Sequence, residues 1–207
     1  MTAKPDDRRR SETGPRERMV RAAAQLIRRQ GVSGTGLREV IEQADAPRGS
    51  LQHYFPDGKT QLVSEALLMM GGVAARRVMR ALNSSESPVP SVFLDAIVED
   101  WRQDLTAEDF AAGCPLVAAA ADIAVSSEPL RQTIAEAFQG WQEPLSEGLI
   151  SLGVPTERAP RLAVVVLSAL EGAIILARIR QSLEPLDAVV AEIGPVLDAA
   201  ARPARQP

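Results

Sequence analysis

Residues Thr35 to Phe55, T-G-L-R-E-V-I-E-Q-A-D-A-P-R-G-S-L-Q-H-Y-F, constrain the chain most, because they read as two short helices joined by a tight turn. Leu37, Val40, Ile41 and Ala44 recur at helical spacing and give the first helix one apolar face. Leu51 and Phe55, four apart, anchor the second helix against it. Arg48, Ser50, Gln52, His53 and Tyr54 are then left pointing outward. Those types suit phosphate contacts and base-edge readout in a DNA major groove, where Arg pairs with guanine, Gln with adenine, and hydroxyls or His with backbone or base. Thr35, Arg38 and Lys59 flank the pair and complete the candidate contact set.

The rest of the chain reads as helix. Residues 1–14 are polar, charged and Pro-interrupted, and are expected to form a disordered arm. A first helix is expected from Pro15, a favoured first-turn residue, to Gln30, with Gly31 as its stop; Met19, Ala22, Ala23, Leu26 and Ile27 form its apolar stripe. A helix over 59–82 leads out of this head, and N-S-S-E-S-P-V-P, 83–90, reads as a linker. Further helices are expected at about 89–105, 114–125, 128–152, 157–182 and 186–201, with Pro144 kinking or breaking the longest near Gln142. Alternating strand patterns are missing, so the fold class is all-α: a three-helix head over 15–60 and a helical body over 61–201.

Charge and composition narrow the function. The net charge of −4 argues against nonspecific nucleic-acid binding, but residues 1–60 carry 12 basic and 8 acidic side chains while the remainder carries 11 and 19. A basic front on an acidic body suits local engagement of DNA by one small unit. One cysteine, Cys114, and one histidine, His53, exclude an internal disulfide and clustered metal ligands. A cytoplasmic setting fits, since Arg8, Arg9 and Arg10 have no apolar stretch behind them to make a secretory signal. The most apolar run, 162–177, carries Ser168 and Glu171, falls short of the ~20 residues that span a bilayer, and reads as a buried helix. An enzyme fails on chemistry: there is no Ser-His-acid set with a free His, no Gly-rich phosphate loop and no metal-ligand spacing.

Gly31, Thr35, Gly49, Leu51, His53, Tyr54, Phe55, Lys59 and Leu62 stand where the TetR family of bacterial transcriptional regulators has its helix-turn-helix pattern, and the chain resembles that family. Three positions depart from it. Gly36 replaces a frequent Ser or Thr cap, at a cost of only a few tenths of a kcal/mol; Gln52 replaces a common Tyr; and Asp57-Gly58 adds a residue before Lys59. G-C-P-L at 113–116, F-Q-G-W at 138–141 and L-E-G-A-I-I-L-A-R at 170–178 are similar to the branch of lincomycin-resistance and flavonoid-responsive repressors.

That resemblance implies a homodimeric repressor, released from a double-stranded, pseudo-palindromic operator by a small apolar or aromatic effector, with no cofactor. It places the effector in the body. Aromatic residues make up only 3% of the chain, and Trp101, Phe110, Phe138 and Trp141 hold most of the body's aromatic surface; they are the expected pocket lining, with Phe138 and Trp141 as its walls. Cys114 and Glu171 are added to that lining. Leu170, Ala173, Leu176 and Ala177 are the expected dimer seam, in a four-helix bundle made by the last two helices of each subunit. Glu171 and Arg178 either pair across that interface or face the cavity.

Overall fold

Prolines and one glycine divide this chain into its helices. The structure, a computed structural model, describes residues 14–47, 49–84, 88–123 and 127–201, and these form helices without a strand. The arm expected over 1–14 lies outside the described residues except for Gly14, which stands just before the first helix. α1 (Pro15–Gly34) begins with Pro in its first turn and buries Met19, Val20, Ala22, Ala23, Leu26 and Ile27. Gly31 breaks it, at φ 74° and ψ 178°, a left-handed conformation that a side chain disfavours. The chain then makes one more turn to Gly34 rather than stopping at Gln30.

α2 (Leu37–Gln43) and α3 (Ser50–Tyr54) close the head on α1. Val40, Ala44, Leu51 and Phe55 are buried, while Leu37 and Ile41 are half-buried at the edge of the same core. Arg18 holds the turn: Nε donates to the Ala44 carbonyl at 2.9 Å and Nη2 to that of Asp45 at 3.1 Å, satisfying carbonyls at the end of α2. The Arg16 guanidinium lies 5.3 Å from the centre of the Phe55 ring and pairs with Glu65 at 2.6 Å. α1 thus positions both following helices from one side.

α4 (Gly58–Ser84) runs out of the head into the body, made of α5 (Pro90–Ala107), α6 (Pro115–Ile123), α7 (Glu128–Ser151), α8 (Ala159–Arg180) and α9 (Glu184–Ala201). α8 and α9 are joined by a short turn through Gln181, at φ 50°, whose N–H donates to the Ala177 carbonyl. Asp198 of α9 accepts from the Ser91 N–H and hydroxyl, both at 2.8 Å, and so caps the start of α5. Pro144 does not break α7: the helix is continuous across it. Trp141 before the proline, with Leu145 and Leu149 after it, is buried in one core. Burial worth about 1.5 to 3 kcal/mol per large apolar side chain outweighs the roughly 3 kcal/mol that an interior proline costs.

α4 crosses α7 at Gly71, where a Cβ would stand 2.8 Å from the Ala137 carbonyl oxygen and 3.1 Å from its Cα. Backbone cannot move aside as a side-chain tip can. Gly71→Ala should therefore destabilise the fold by about 1 to 2 kcal/mol, although alanine's helix propensity alone would favour it by about 1 kcal/mol. Thermal unfolding beside the exposed control Gly140→Ala, where a Cβ meets nothing within 4 Å, measures the difference. A Gly71→Ala protein as stable as the control would refute the close crossing.

Candidate nucleic-acid interface and body cavities

The head presents Arg38, Gln52 and His53 exposed, with Ser50, Tyr54 and Lys59 half-buried. The Ser50 hydroxyl donates to the Pro47 carbonyl at 2.6 Å, starting α3, and Gln52 Nε2 reaches the Pro56 carbonyl at 3.2 Å. The Tyr54 ring stands edge-on to His53, with centres 4.9 Å apart. Gln52, His53 and Tyr54 therefore occupy the last turn of a five-residue helix whose other side is held by Leu51. Arg48 lies outside the described residues. Thr35 requires a correction: only 2% of it is exposed, and its hydroxyl donates to the Gly31 carbonyl at 2.6 Å. Its side chain closes the break in α1 and is not offered to a ligand.

The end of α1 is bonded to the body. Arg28 Nε donates to the Gly113 carbonyl at 3.0 Å, and its Nη2 meets Asp104 at 3.2 Å. Arg77 shares Asp104 at 3.0 Å. Arg29 pairs with Glu108 at 2.5 Å. At the far end of α6, Asp122 accepts from the Ser33 N–H at 2.5 Å and from its hydroxyl at 2.7 Å. These bonds hold the Asp122 carboxyl below its ordinary range, and the Lys59 charge adds to the effect. Sequence reasoning missed this joint, since its partners lie 76 to 89 residues apart.

Two spaces in the body separate the expected pocket residues. Trp101 and Trp141 are buried with ring centres 6.4 Å apart, and the Arg77 guanidinium stands 5.7 Å from the Trp101 ring. They border a gap of about 20 Å³, too small for an effector, so Trp141 is a core residue rather than a pocket wall. Phe138 and Glu171 line a larger cavity of about 270 Å³, with Val117, Gln142, Leu167 and Ser168. Phe110 is half-buried in a left-handed turn, lines neither space, and gives its carbonyl to Arg178 Nε at 3.3 Å. Cys114 borders the small gap and also adjoins Glu171; burial, then the Glu171 charge, pushes its thiol well above the ordinary range.

Within this chain Glu171 lines the cavity. Arg178 also donates to the Ala111 carbonyl at 3.0 Å, so it pins the loop before α6. The residues expected in the dimer seam differ in exposure. Leu170, Ala173 and Ala177 are buried within this chain, and of the four only Leu176 is exposed. Exposed apolar side chains run along the rest of α8, from Val164 at the mouth of the cavity to Val165, Ile175 and Ile179, and Val196 of α9 is exposed as well. A groove of about 330 Å³ runs between α8 and α9 on that surface, floored by the small residues Gly172, Ala173 and Ala188. α8 is long and apolar enough to cross a membrane, which the 16-residue count of its apolar run understated, and half of its most apolar window is buried inside the chain. A helix that is apolar on all sides needs cover on all sides.

Comparison with known proteins agrees with this architecture. Residues 19–66 match the family model for bacterial regulatory proteins of the tetR family, and residues 90–192 match that for the C-terminal domain of LmrA/YxaF-like transcriptional regulators. An HTH-type transcriptional regulator of Mycobacterium tuberculosis is 41% identical over 181 residues, covering 85% of this chain and 90% of that protein. The HTH-type transcriptional regulator LmrA of Bacillus subtilis is 31% identical over 171 residues, covering 83% of this chain and 90% of its own length. The crystal structure of a regulatory protein TetR from Rhodobacter sphaeroides superposes with a TM-score of 0.77 at 20% identity, covering 86% of this chain and 96% of that one. The chain belongs to the TetR family of bacterial transcriptional regulators, in its LmrA/YxaF-like branch, and is a DNA-binding regulator rather than an enzyme.

Proposed function

We propose that this chain is a homodimeric repressor that leaves its operator when a small molecule enters the body. Residues 15–60 act as the head and 61–201 as the effector-binding and dimerising body, working in the cytoplasm. Two heads seat in successive major grooves of a pseudo-palindromic site, about 34 Å apart along one turn of DNA. The observation that carries this reading is the bonded joint between head and body: Asp122 holds Ser33, and Arg28 holds both Asp104 and the Gly113 carbonyl. α6 lies between that joint and the cavity, since Val117 lines the cavity and Asp122 ends near the head. A ligand that displaces α6 would therefore move α1 and change the spacing of the two heads. A ligand shifts this equilibrium only by its preference for the misplaced conformation, so operator DNA must weaken ligand binding by the same factor.

Fluorescence anisotropy with the DNA just upstream of the coding sequence tests the reading. No sequence-selective binding would overturn it and leave a helical ligand-binding module without DNA. Lys59→Ala should lower affinity for all sequences and flatten the salt dependence by about one phosphate's worth of slope. By contrast, Arg38→Ala and Arg48→Ala should each cost about 1 to 3 kcal/mol at one base position if the guanidinium reads a base. Titrations at several salt concentrations separate the two effects. Unchanged affinity and slope in all three variants would remove these residues from the interface.

A further inference from the structure

Glu171 is a carboxyl in the wrong place for a core residue. Only 8% of it is exposed, and neither carboxylate oxygen has a hydrogen-bond partner among the described residues. Buried carboxylates are ordinarily paired or hydrogen-bonded, because an unpartnered one sacrifices hydration for nothing. Arg178, two turns on along the same helix, is committed elsewhere, donating to the Phe110 and Ala111 carbonyls. The Cys114 thiol that adjoins Glu171 is a weak donor. Glu171 lines the cavity of about 270 Å³ whose walls are Val117, Phe138, Val164 and Leu167, with Gln142 and Ser168 as its other polar members. That is an open, largely apolar recess with a buried, unpartnered carboxylate in its wall, the makeup of a small-molecule site.

The charge of the body selects the sign of the occupant. Past residue 60 the chain has 19 acidic and 11 basic side chains, a field that favours entry of cations over anions. The Phe138 ring in the lining adds to this preference. We propose that the cavity binds an apolar molecule carrying a protonated amine, whose N–H donates to Glu171 while its ring or chain packs on Val117, Phe138 and Leu167. This rests on the reading of the body as the effector domain. Cys114 precedes α6, adjoins Glu171, and gives its carbonyl to the Ala118 N–H, while Asp122 near the other end of α6 holds Ser33 of the head. Nine residues of helix, roughly 13 Å, then connect the amine site to the DNA-binding unit.

A matched series tests it on the full-length protein without DNA: naphthylmethylamine, naphthylmethanol and naphthylacetate, titrated by calorimetry. The amine should bind about tenfold or more tightly than the alcohol, and the acid most weakly, since a charge-assisted hydrogen bond is roughly twice as strong as a neutral one. In Glu171→Gln that preference should collapse to about twofold or less, with alcohol binding kept. The exchange removes a buried charge and preserves shape. Equal affinity of amine and alcohol in the wild-type protein would overturn the proposal without any variant, as would an amine preference that survives in Glu171→Gln. Adding operator DNA separates this from the regulatory reading. An amine that binds through Glu171 yet leaves DNA affinity unchanged would establish the site and remove its role as a switch.

Discussion

Leu176→Arg should turn the dimer into a monomer and weaken operator binding by roughly a hundredfold or more, because two linked heads bind far more tightly than one. Leu176 is 44% exposed and lies beside Ile175, at 43%, and Ile179, at 75%, so an arginine there can be solvated in the isolated chain. In a two-fold interface the same patch meets itself, and each substitution is felt from both subunits. Two unpaired guanidiniums taken out of water cost several kcal/mol, enough to move dissociation far above micromolar concentration. Ala173→Arg is the poorer experiment. Ala173 is already buried against its own chain, so its replacement tests folding and association together. Sedimentation velocity at micromolar concentration, alongside circular dichroism, checks the result. A folded Leu176→Arg protein that remains dimeric would move the interface away from the α8 and α9 surface.

The helices were legible because their ends carry local chemistry. Proline in the first turn begins α1, α5, α7 and α8, and Gly31 marks the break in α1. Pro144 misled because the same local rule ignores what the flanking helix buries; Trp141 and Leu145 are buried there, and Trp101, against which Trp141 packs, lies far outside the sequence window. The exposure of Gln52 and His53 on α3 could be read from the spacing of Leu51 and Phe55, whereas Tyr54 packs against the head core and Thr35 looked available until its hydroxyl met the Gly31 carbonyl. In the body, scarcity of aromatics pointed to the tryptophans as pocket walls. Large rings are also the best core fillers, and Trp101 and Trp141 pack together. α8 posed the hardest problem, since a helix apolar on every face gives no periodicity by which to tell intrachain core from subunit seam. Its exposed residues Val164, Val165, Ile175 and Ile179 become evident only once its own chain has covered Leu170, Ile174 and Ala177.

Glu171→Gln should stabilise the protein in alkaline solution and do little in acid. Burial raises the Glu171 carboxyl from its ordinary value of 4.5 to about 7, with the Cys114 thiol pulling it down a little. Cys114, just before α6, is the titratable neighbour, and it stays neutral because its own thiol is raised well above its ordinary range. The other cavity residues, Val117, Phe138, Gln142, Val164, Leu167 and Ser168, do not ionise in this range. The folded chain therefore holds a proton that the unfolded chain has already released between those two values. Stability from this group is fully present below about pH 4.5 and is lost as pH rises through about 7, a change of about 3 kcal/mol. The glutamine variant carries no such loss, so it and the wild type should nearly coincide at about pH 4 and separate by about 3 kcal/mol at about pH 8. Urea unfolding across that range, followed by circular dichroism, gives the difference curve. A flat difference would mean that the carboxyl keeps its hydration, and a difference of the opposite sign that a cation from the other subunit answers Glu171 in the dimer, which would also withdraw the acceptor offered to an amine.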